Sequence, residues 1–159
     1  MPRVYLGLGS NLGDRRGNLD EAVDRLGKLD ALKVLRTSSY HETEPVGGPP
    51  QERFLNAVVE AETTLPPLAL LARCFEIEDA MGRVRQERWG PRLIDIDVLT
   101  YGEEVVSSPT LEIPHPRMHQ RRFVLEPLAE LAPDLVHPRL GKTVTELLKG
   151  LERTANDET

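Results

Sequence analysis

The sequence of 159 residues predicts an α+β fold of the ferredoxin-like type, a βαββαβ antiparallel sheet with helices packed on it. Apolar residues are spaced as in strands and helices, and these stretches occur along the chain in the order βαββαβ. Two strand-like stretches precede the second helix. With 39% hydrophobic residues the chain can build one core, so 1–159 is expected to be a single domain. An extra hairpin and C-terminal helices are expected after the fourth strand, with a frayed polar tail near 153–159.

The first half of the chain supplies a strand, a helix and two further strands. A short strand at 4–9 ends in glycines, and 17–29 then places apolar residues at helical spacing, with Asn18 as the predicted cap. The stretch 33–45 predicts one long strand and 54–63 another. The glycines and prolines between these two strands predict a loop.

The second half begins with a helix at 66–82, because prolines occupy its first turn and a glycine ends it. The fourth strand is predicted at 93–101, and 102–108 suggests a hairpin returning from it. Further helices are predicted at 121–133 and 144–151.

Two aspartates interrupt the apolar fourth strand. Alternation along a strand places Asp95 and Asp97 on one side, with Cα atoms roughly 6.5 to 7 Å apart, while Ile94 and Ile96 take the other side. Unpaired neighbouring carboxylates repel each other, and a hard divalent cation such as Mg²⁺ removes that cost. Two such ions could bridge the pair. The alternative is an edge strand that uses charge to discourage aggregation.

Four arginines lie between the second helix and the fourth strand: Arg83, Arg85, Arg88 and Arg92. Guanidinium groups match phosphate oxygens in bidentate fashion, so arginines beside a carboxylate strand suggest a clamp for a polyphosphate. A solvated charged surface is the alternative. Glu78 continues the partly apolar stripe of the preceding helix, either as a site residue or as a residue at the edge of that stripe.

Two other segments have residue types found in binding sites. The segment GLGSNLGD misses the dinucleotide fingerprint by one residue and contains no lysine, so we interpret it as a structural turn and leave open whether it borders a ligand. His115 and His119 are four residues apart, but Pro116 opposes a helix there, so a zinc pair is not expected. Contact with a nucleotide explains the histidines and arginines of this segment better than zinc binding does. The alternative is that these histidines are ordinary surface residues.

Composition narrows the class of partners. The formal net charge of −6 argues against nucleic acid and anionic membranes as partners. The single cysteine, Cys74, rules out an internal disulfide framework and is expected to be buried. No apolar stretch reaches the roughly 18 residues of a membrane span, and no signal peptide is recognisable, so a cytoplasmic location is expected.

Taken together, the motifs resemble the 6-hydroxymethyl-7,8-dihydropterin pyrophosphokinase family. GLGSNLGD, TEPVG, FLNAVVE, GRVRQERWGPRLIDIDVL and PHPRMHQRRFVLEPLAELAP occur in the family's order and cover nearly the whole chain. The resemblance implies a ferredoxin-like fold, two Mg²⁺ ions, ATP as co-substrate, and transfer of a pyrophosphoryl group to the pterin's hydroxymethyl oxygen with release of AMP. It also implies a monomer.

The resemblance further implies a role for individual residues. Asp95 and Asp97 would hold the metal ions, and the catalytic groups would be Arg83, Arg92 and Asp97. ATP would contact Glu78, Arg85, His115 and Arg121. The pterin would contact Thr43, Pro45, Val46, Phe54, Asn56, Trp89 and Phe123.

Two positions depart from the family pattern. Leu93 stands where a threonine is common, so a hydroxyl role there is absent, and Arg122 adds charge at a position that often holds a small residue.

The alternative function is a non-catalytic ferredoxin-like module that binds a metabolite. Formation of AMP from Mg-ATP and pterin distinguishes this module from the pyrophosphokinase.

Overall fold

The computed structural model describes residues 1–43, 53–82 and 93–157. Its main antiparallel sheet is built from β1 (Arg3–Ser10), β2 (Leu32–Thr37), β3 (His41–Thr43), β4 (Phe54–Thr63) and β5 (Asp95–Tyr101). The strand order is β2-β4-β1-β5, and β3 pairs with β4 beside β2. The α+β class is therefore confirmed, with β4 and β1 as the inner strands of the sheet.

The helices lie on both faces of this sheet. They are α1 (Arg15–Gly27), α2 (Pro67–Gly82), α3 (Arg122–Leu131) and α4 (Val144–Asp157), and a short 3₁₀ helix spans Met118–Gln120. No helix in the described ranges is both long and apolar enough to cross a bilayer.

Each face of the sheet has its own hydrophobic core because side chains alternate along the strands. On one face, Leu6 and Val59 pack with buried residues of α1 and α2, among them Leu26 and Cys74. Burial raises the pKa of the Cys74 thiol to about 12, which agrees with the predicted buried cysteine. On the opposite face, α3 and α4 cover one part of the sheet around Tyr5.

Most predicted elements are present, but the structure differs from the prediction in four details. Helix α1 begins at Arg15 and is capped by Asp14, whose Oδ1 accepts a hydrogen bond from the Gly17 amide at 3.0 Å. Asn18 instead lies inside the helix and donates to Ser10 Oγ and to the Leu12 carbonyl oxygen. The amide of Asn18 therefore ties the helix to the end of β1.

The predicted long strand is interrupted between β2 and β3. Ser38 exchanges hydrogen bonds with Val58, donating its amide and accepting through its hydroxyl oxygen. The side chain thus replaces a backbone acceptor, which breaks the regular ladder between Thr37 and His41.

The hairpin after β5 does not return along that strand. Instead β6 (Val106–Ser107) pairs with β7 (Glu112–Ile113) in a separate two-stranded sheet. Ser108 closes its turn through hydrogen bonds to Leu111. At the C-terminal end, α4 continues past the predicted end at 151 as far as Asp157, into the stretch predicted as a polar tail.

Candidate active site

The two aspartates of β5 lie on the same side of the strand, as alternation predicts. Asp95 and Asp97 are exposed, while Ile96 between them and Val98 after them are buried against α1 and α2. We call the side of the sheet that carries both aspartates the site face. It is the face that α3 and α4 cover around Tyr5, and the aspartates lie beyond that cover.

One row of residues crosses four strands on the site face. Residues directly opposite each other in antiparallel strands point to the same side. The pairing register places four residues in one line: His41, Asn56, Gly9 and Asp95. Strand pairing therefore brings Asn56, predicted to contact the pterin, into line with Asp95, predicted to bind the metal.

Gly9, the position in this row between Asn56 and Asp95, has no side chain. A Cβ atom at Gly9 would lie 3.0 Å from Asn56 Oδ1 and 3.6 Å from Phe54 Cδ1. In the next row, Gly7 lies opposite Asp97. The glycines of GLGSNLGD therefore leave space between the carboxylates of β5 and the polar residues of β4, so this segment borders the candidate site.

Glu78 supports the backbone between the two aspartates. The side chain of Glu78 is almost completely buried, and its Oε2 accepts a hydrogen bond from the Ile96 amide at 2.7 Å. Among the described strands β5 lies at the edge of the sheet, so none of them pairs with that amide on its outer side. Glu78 thus helps to fix the part of the strand that carries both carboxylates.

His115 lies next to this strand. Its amide donates to the Leu99 carbonyl oxygen at 2.9 Å, which attaches the segment after β7 to β5. Burial lowers the pKa of the imidazole, and the nearby Asp97 carboxylate opposes that shift. The Arg121 guanidinium lowers the pKa further, so the ring favours its neutral form.

Arg121 and Phe123 lie together at the start of α3. The guanidinium carbon of Arg121 lies 5.5 Å from the centre of the Phe123 ring, a distance typical of a cation–π contact. Both side chains are partly buried. A cation predicted to contact ATP is therefore next to a ring predicted to contact the pterin.

The described residues hold only some of the predicted site. Thr43 ends β3 opposite Phe54 in β4, and its backbone alone is described. Six predicted site residues lie outside the described ranges: Pro45, Val46, Arg83, Arg85, Trp89 and Arg92.

The donor set of this face fits Mg²⁺. Among the described residues there is no group of three or more His, Cys, Asp or Glu side chains that could form a complete protein cage for a metal ion. Mg²⁺ does not need such a cage, because one or two carboxylates suffice when waters and phosphate oxygens complete its shell. Two exposed carboxylates on one side of a strand are that kind of partial site.

Sequence reasoning missed a polar cluster at the other end of the row. Ser39, His41 and Glu130 contact one another, although they are distant in the sequence. No motif contains all three residues. The only local signal was a histidine in a strand-like stretch, which is too common to indicate a site.

Comparisons with known proteins show which family the chain resembles. Residues 5–133 match the family model described as 7,8-dihydro-6-hydroxymethylpterin-pyrophosphokinase. The chain is 49% identical over 152 residues to a 2-amino-4-hydroxy-6-hydroxymethyldihydropteridine pyrophosphokinase of Methylorubrum extorquens, covering 96% of this chain and 95% of the relative. Identity to the Pseudomonas aeruginosa protein of that name is 43%, covering 95% and 96%.

A solved structure of Plasmodium falciparum HPPK-DHPS is similar with a TM-score of 0.76 and 17% identity. The match covers 98% of this chain and 46% of that one. At this identity the likeness concerns the fold alone.

Proposed function

Because the chain belongs to the 7,8-dihydro-6-hydroxymethylpterin-pyrophosphokinase family, we propose that the site face is where it carries out that family's reaction. The chain is an ATP-dependent diphosphotransferase of folate biosynthesis. It transfers pyrophosphate from ATP to the hydroxymethyl group of 6-hydroxymethyl-7,8-dihydropterin and releases AMP. Family membership does not favour the alternative of a non-catalytic metabolite-binding module.

The row through Gly9 is the observation that supports the placement we propose for both substrates. Asn56 and Asp95 flank Gly9 on neighbouring strands, so two inter-strand spacings put their backbones roughly 10 Å apart. That separation suits a bicyclic ring held at Asn56 with its hydroxymethyl arm directed toward Asp95. The absence of a side chain at Gly9 leaves this path open.

The pterin ring would lie between Phe54 and Phe123, because a flat heterocycle is bound well by aromatic faces above and below it. Asn56 supports this placement, since it is only 6% exposed and its Oδ1 lies beside Gly9, where the edge of the ring would come. The resemblance adds Thr43, Pro45, Val46 and Trp89 to the pterin contacts.

Asp95 and Asp97 would hold the metal, which we propose to be two Mg²⁺ ions. When bound, these ions neutralise phosphate charge and lower the pKa of the attacking hydroxyl. Asp97 is a candidate acceptor for the hydroxyl proton. Glu78 keeps the two carboxylates in register through the Ile96 amide, and it would also border ATP.

The remaining nucleotide contacts would come from Arg85, His115 and Arg121, and Arg83 and Arg92 would neutralise charge during transfer. A neutral His115 can donate one hydrogen bond to a phosphate oxygen without being repelled by the neighbouring Arg121. Phosphoryl-type transfer needs positioning and charge neutralisation more than a covalent intermediate, so no protein nucleophile is required.

We also infer the finer architecture and context. The order β2-β4-β1-β5, with α1 and α2 against one face, supports a ferredoxin-like arrangement with additions after β5. A monomer, a cytoplasmic location, and the lack of nucleic-acid and membrane partners stay predictions from the sequence.

Asp97→Ala tests the placement of the metal. We expect turnover, measured as AMP formed from Mg-ATP and pterin, to fall about a thousandfold or more, since charge neutralisation at the phosphates is lost. Calorimetry should show that Mn²⁺ together with a non-hydrolysable ATP analogue binds far more weakly to this variant. The melting temperature should stay close to that of the parent protein.

Asp24→Ala is the matched control, because Asp24 is an exposed aspartate on α1 that pairs only with Lys28 among the described residues. It should retain both activity and Mn²⁺ binding. If Asp97→Ala forms AMP at the parent rate, or binds Mn²⁺ and nucleotide as the parent does, the metal site is not on this strand.

A further inference from the structure

We propose that Glu130 is a positioning residue that sets the separation between the two aromatic walls of the pterin site. We call the contacts among Ser39, His41 and Glu130 the carboxylate latch. This inference rests on the proposed function, since it takes Phe54 and Phe123 as those walls. None of the latch residues would touch substrate.

The latch joins the segment around β3 to α3. The Ser39 hydroxyl lies 2.6 and 2.8 Å from the two carboxylate oxygens of Glu130, and the Ser39 amide donates to Oε1 at 3.2 Å. Nε2 of His41 lies 2.5 Å from Oε2. Since an ionised carboxylate can only accept, the proton in that last bond belongs to the imidazole.

Hydrogen bonds within the latch favour an ionised Glu130. Partial desolvation would raise the pKa of its carboxyl, but hydrogen bonds from Ser39 and His41 outweigh that effect and hold it below the usual value. The other ring nitrogen of His41 faces Glu126 Oε2 at 3.9 Å, and Glu126 is itself paired with Arg122. Both ring nitrogens of His41 therefore face carboxylates of α3.

The two sides of the latch lead directly to the two proposed walls. His41 lies opposite Asn56, and β3 continues to Thr43 opposite Phe54. On α3, Phe123 and Glu130 are seven residues apart, so they lie on the same side of the helix, two turns from each other. A contact that holds Glu130 to β3 therefore also fixes how closely Phe123 approaches the strand that carries Phe54.

Other contacts keep α3 folded when the latch is lost. Val124, Leu125 and Leu128 are buried against α4 and the sheet. Removing the Glu130 carboxylate should thus let the helix shift by a small amount without unfolding it. Pterin affinity should respond far more than ATP affinity, because only Arg121 among the proposed ATP contacts in the described ranges borders α3, whereas Glu78, Asp95 and Asp97 lie on α2 and β5.

The test compares Michaelis constants for the two substrates in Glu130→Ala. We expect the KM for the pterin to rise about tenfold, the effect of losing roughly one charge-assisted hydrogen bond. The KM for ATP should stay within about twofold. Glu130→Gln, which keeps one oxygen acceptor for Ser39, should restore part of the pterin affinity. Equal changes in both constants, or none in the pterin constant, would overturn the proposal.

Two further variants make the result interpretable. Glu152→Ala removes an exposed carboxylate that pairs with Arg122 and lies outside the latch, so both constants should stay as in the parent protein. Phe123→Ala should raise the pterin KM. If it does and Glu130→Ala does not, the latch alone is refuted; if Phe123→Ala has no effect, the aromatic walls and the latch are both refuted.

Ser39→Ala provides a milder variant in case Glu130→Ala folds poorly. It removes one hydroxyl donor from the latch and leaves the carboxylate and the imidazole in place. A selective rise in the pterin KM is again expected, and an unchanged value would count against the latch.

Discussion

Glu60 and Asp97 are both carboxylates on the site face, and their surroundings are opposite. Glu60 in β4 is 3% exposed and accepts hydrogen bonds from Tyr5 Oη and from Nε and Nη2 of Arg36. Asp97 in β5 is exposed and, among the described residues, has neither a side-chain hydrogen bond nor an ion pair. One carboxylate is used within the fold, and the other is available to a ligand.

The inner strand β1 accounts for this difference. Opposite Glu60, β1 presents Tyr5, whose ring fills the space and whose hydroxyl donates to the carboxylate. Opposite Asp97, two residues further along, β1 presents Gly7. A buried carboxylate needs donors around it, whereas a carboxylate that binds metal and phosphate needs empty space. Alternate positions of a single strand meet these two requirements.

Glu60→Ala should have the largest effect on stability. The substitution leaves the Tyr5 hydroxyl and the Arg36 guanidinium without their shared acceptor, which should lower the free energy of unfolding by about 2–4 kcal/mol. Urea denaturation measures this change. KM values and turnover should stay near those of the parent protein, the opposite of the result expected for Asp97→Ala. If Glu60→Ala is as stable as the parent protein but inactive, Glu60 serves the reaction rather than the fold, and the two carboxylates do not differ as described.

Gly9→Ala should have an intermediate effect, confined to the pterin. The new Cβ would lie 3.0 Å from Asn56 Oδ1, so the amide must move, and we expect the pterin KM to rise about tenfold for a misplaced hydrogen-bonding group. Gly27→Ala at the end of α1 is the control, because its Cβ would meet no atom within 4 Å. An unchanged pterin KM in Gly9→Ala would show that Asn56 does not hold the ring.

The smallest of these effects should be the dependence of the free energy of unfolding on pH below about 4.5, where Glu60 becomes protonated. Hydrogen bonds from Arg36, against an opposing contribution from burial, hold the pKa of Glu60 below its usual 4.5. Because the folded pKa is the lower one, this contribution to stability is fully present above about pH 4.5 and is lost as the pH falls through the folded value. The stability difference between the parent and Glu60→Gln should shrink over that interval. A constant difference would mean that Glu60 does not titrate separately.

Several features could be predicted from the sequence because they depend on local spacing. Strand β4 matches its predicted range, α2 begins one residue after the predicted start, and Asp95 and Asp97 share a face because alternation is a property of one strand. The break at Ser38 was missed because it arises from a hydroxyl that contacts Val58, twenty residues away. The wrong hairpin partner has the same origin, since residue pattern alone does not say which strand a short strand will join.

The sequence by itself therefore determined the class of the fold, most of its elements and the family, since these follow from periodicity and from motifs contiguous in the chain. Only the tertiary structure decided that Gly9 separates Asn56 from Asp95, that Glu78 accepts from Ile96, and that Glu130 reaches Ser39 and His41. The physical reason is register: which side chains meet across strands or between a helix and a sheet depends on the pairing of the whole sheet, and no local pattern encodes that pairing.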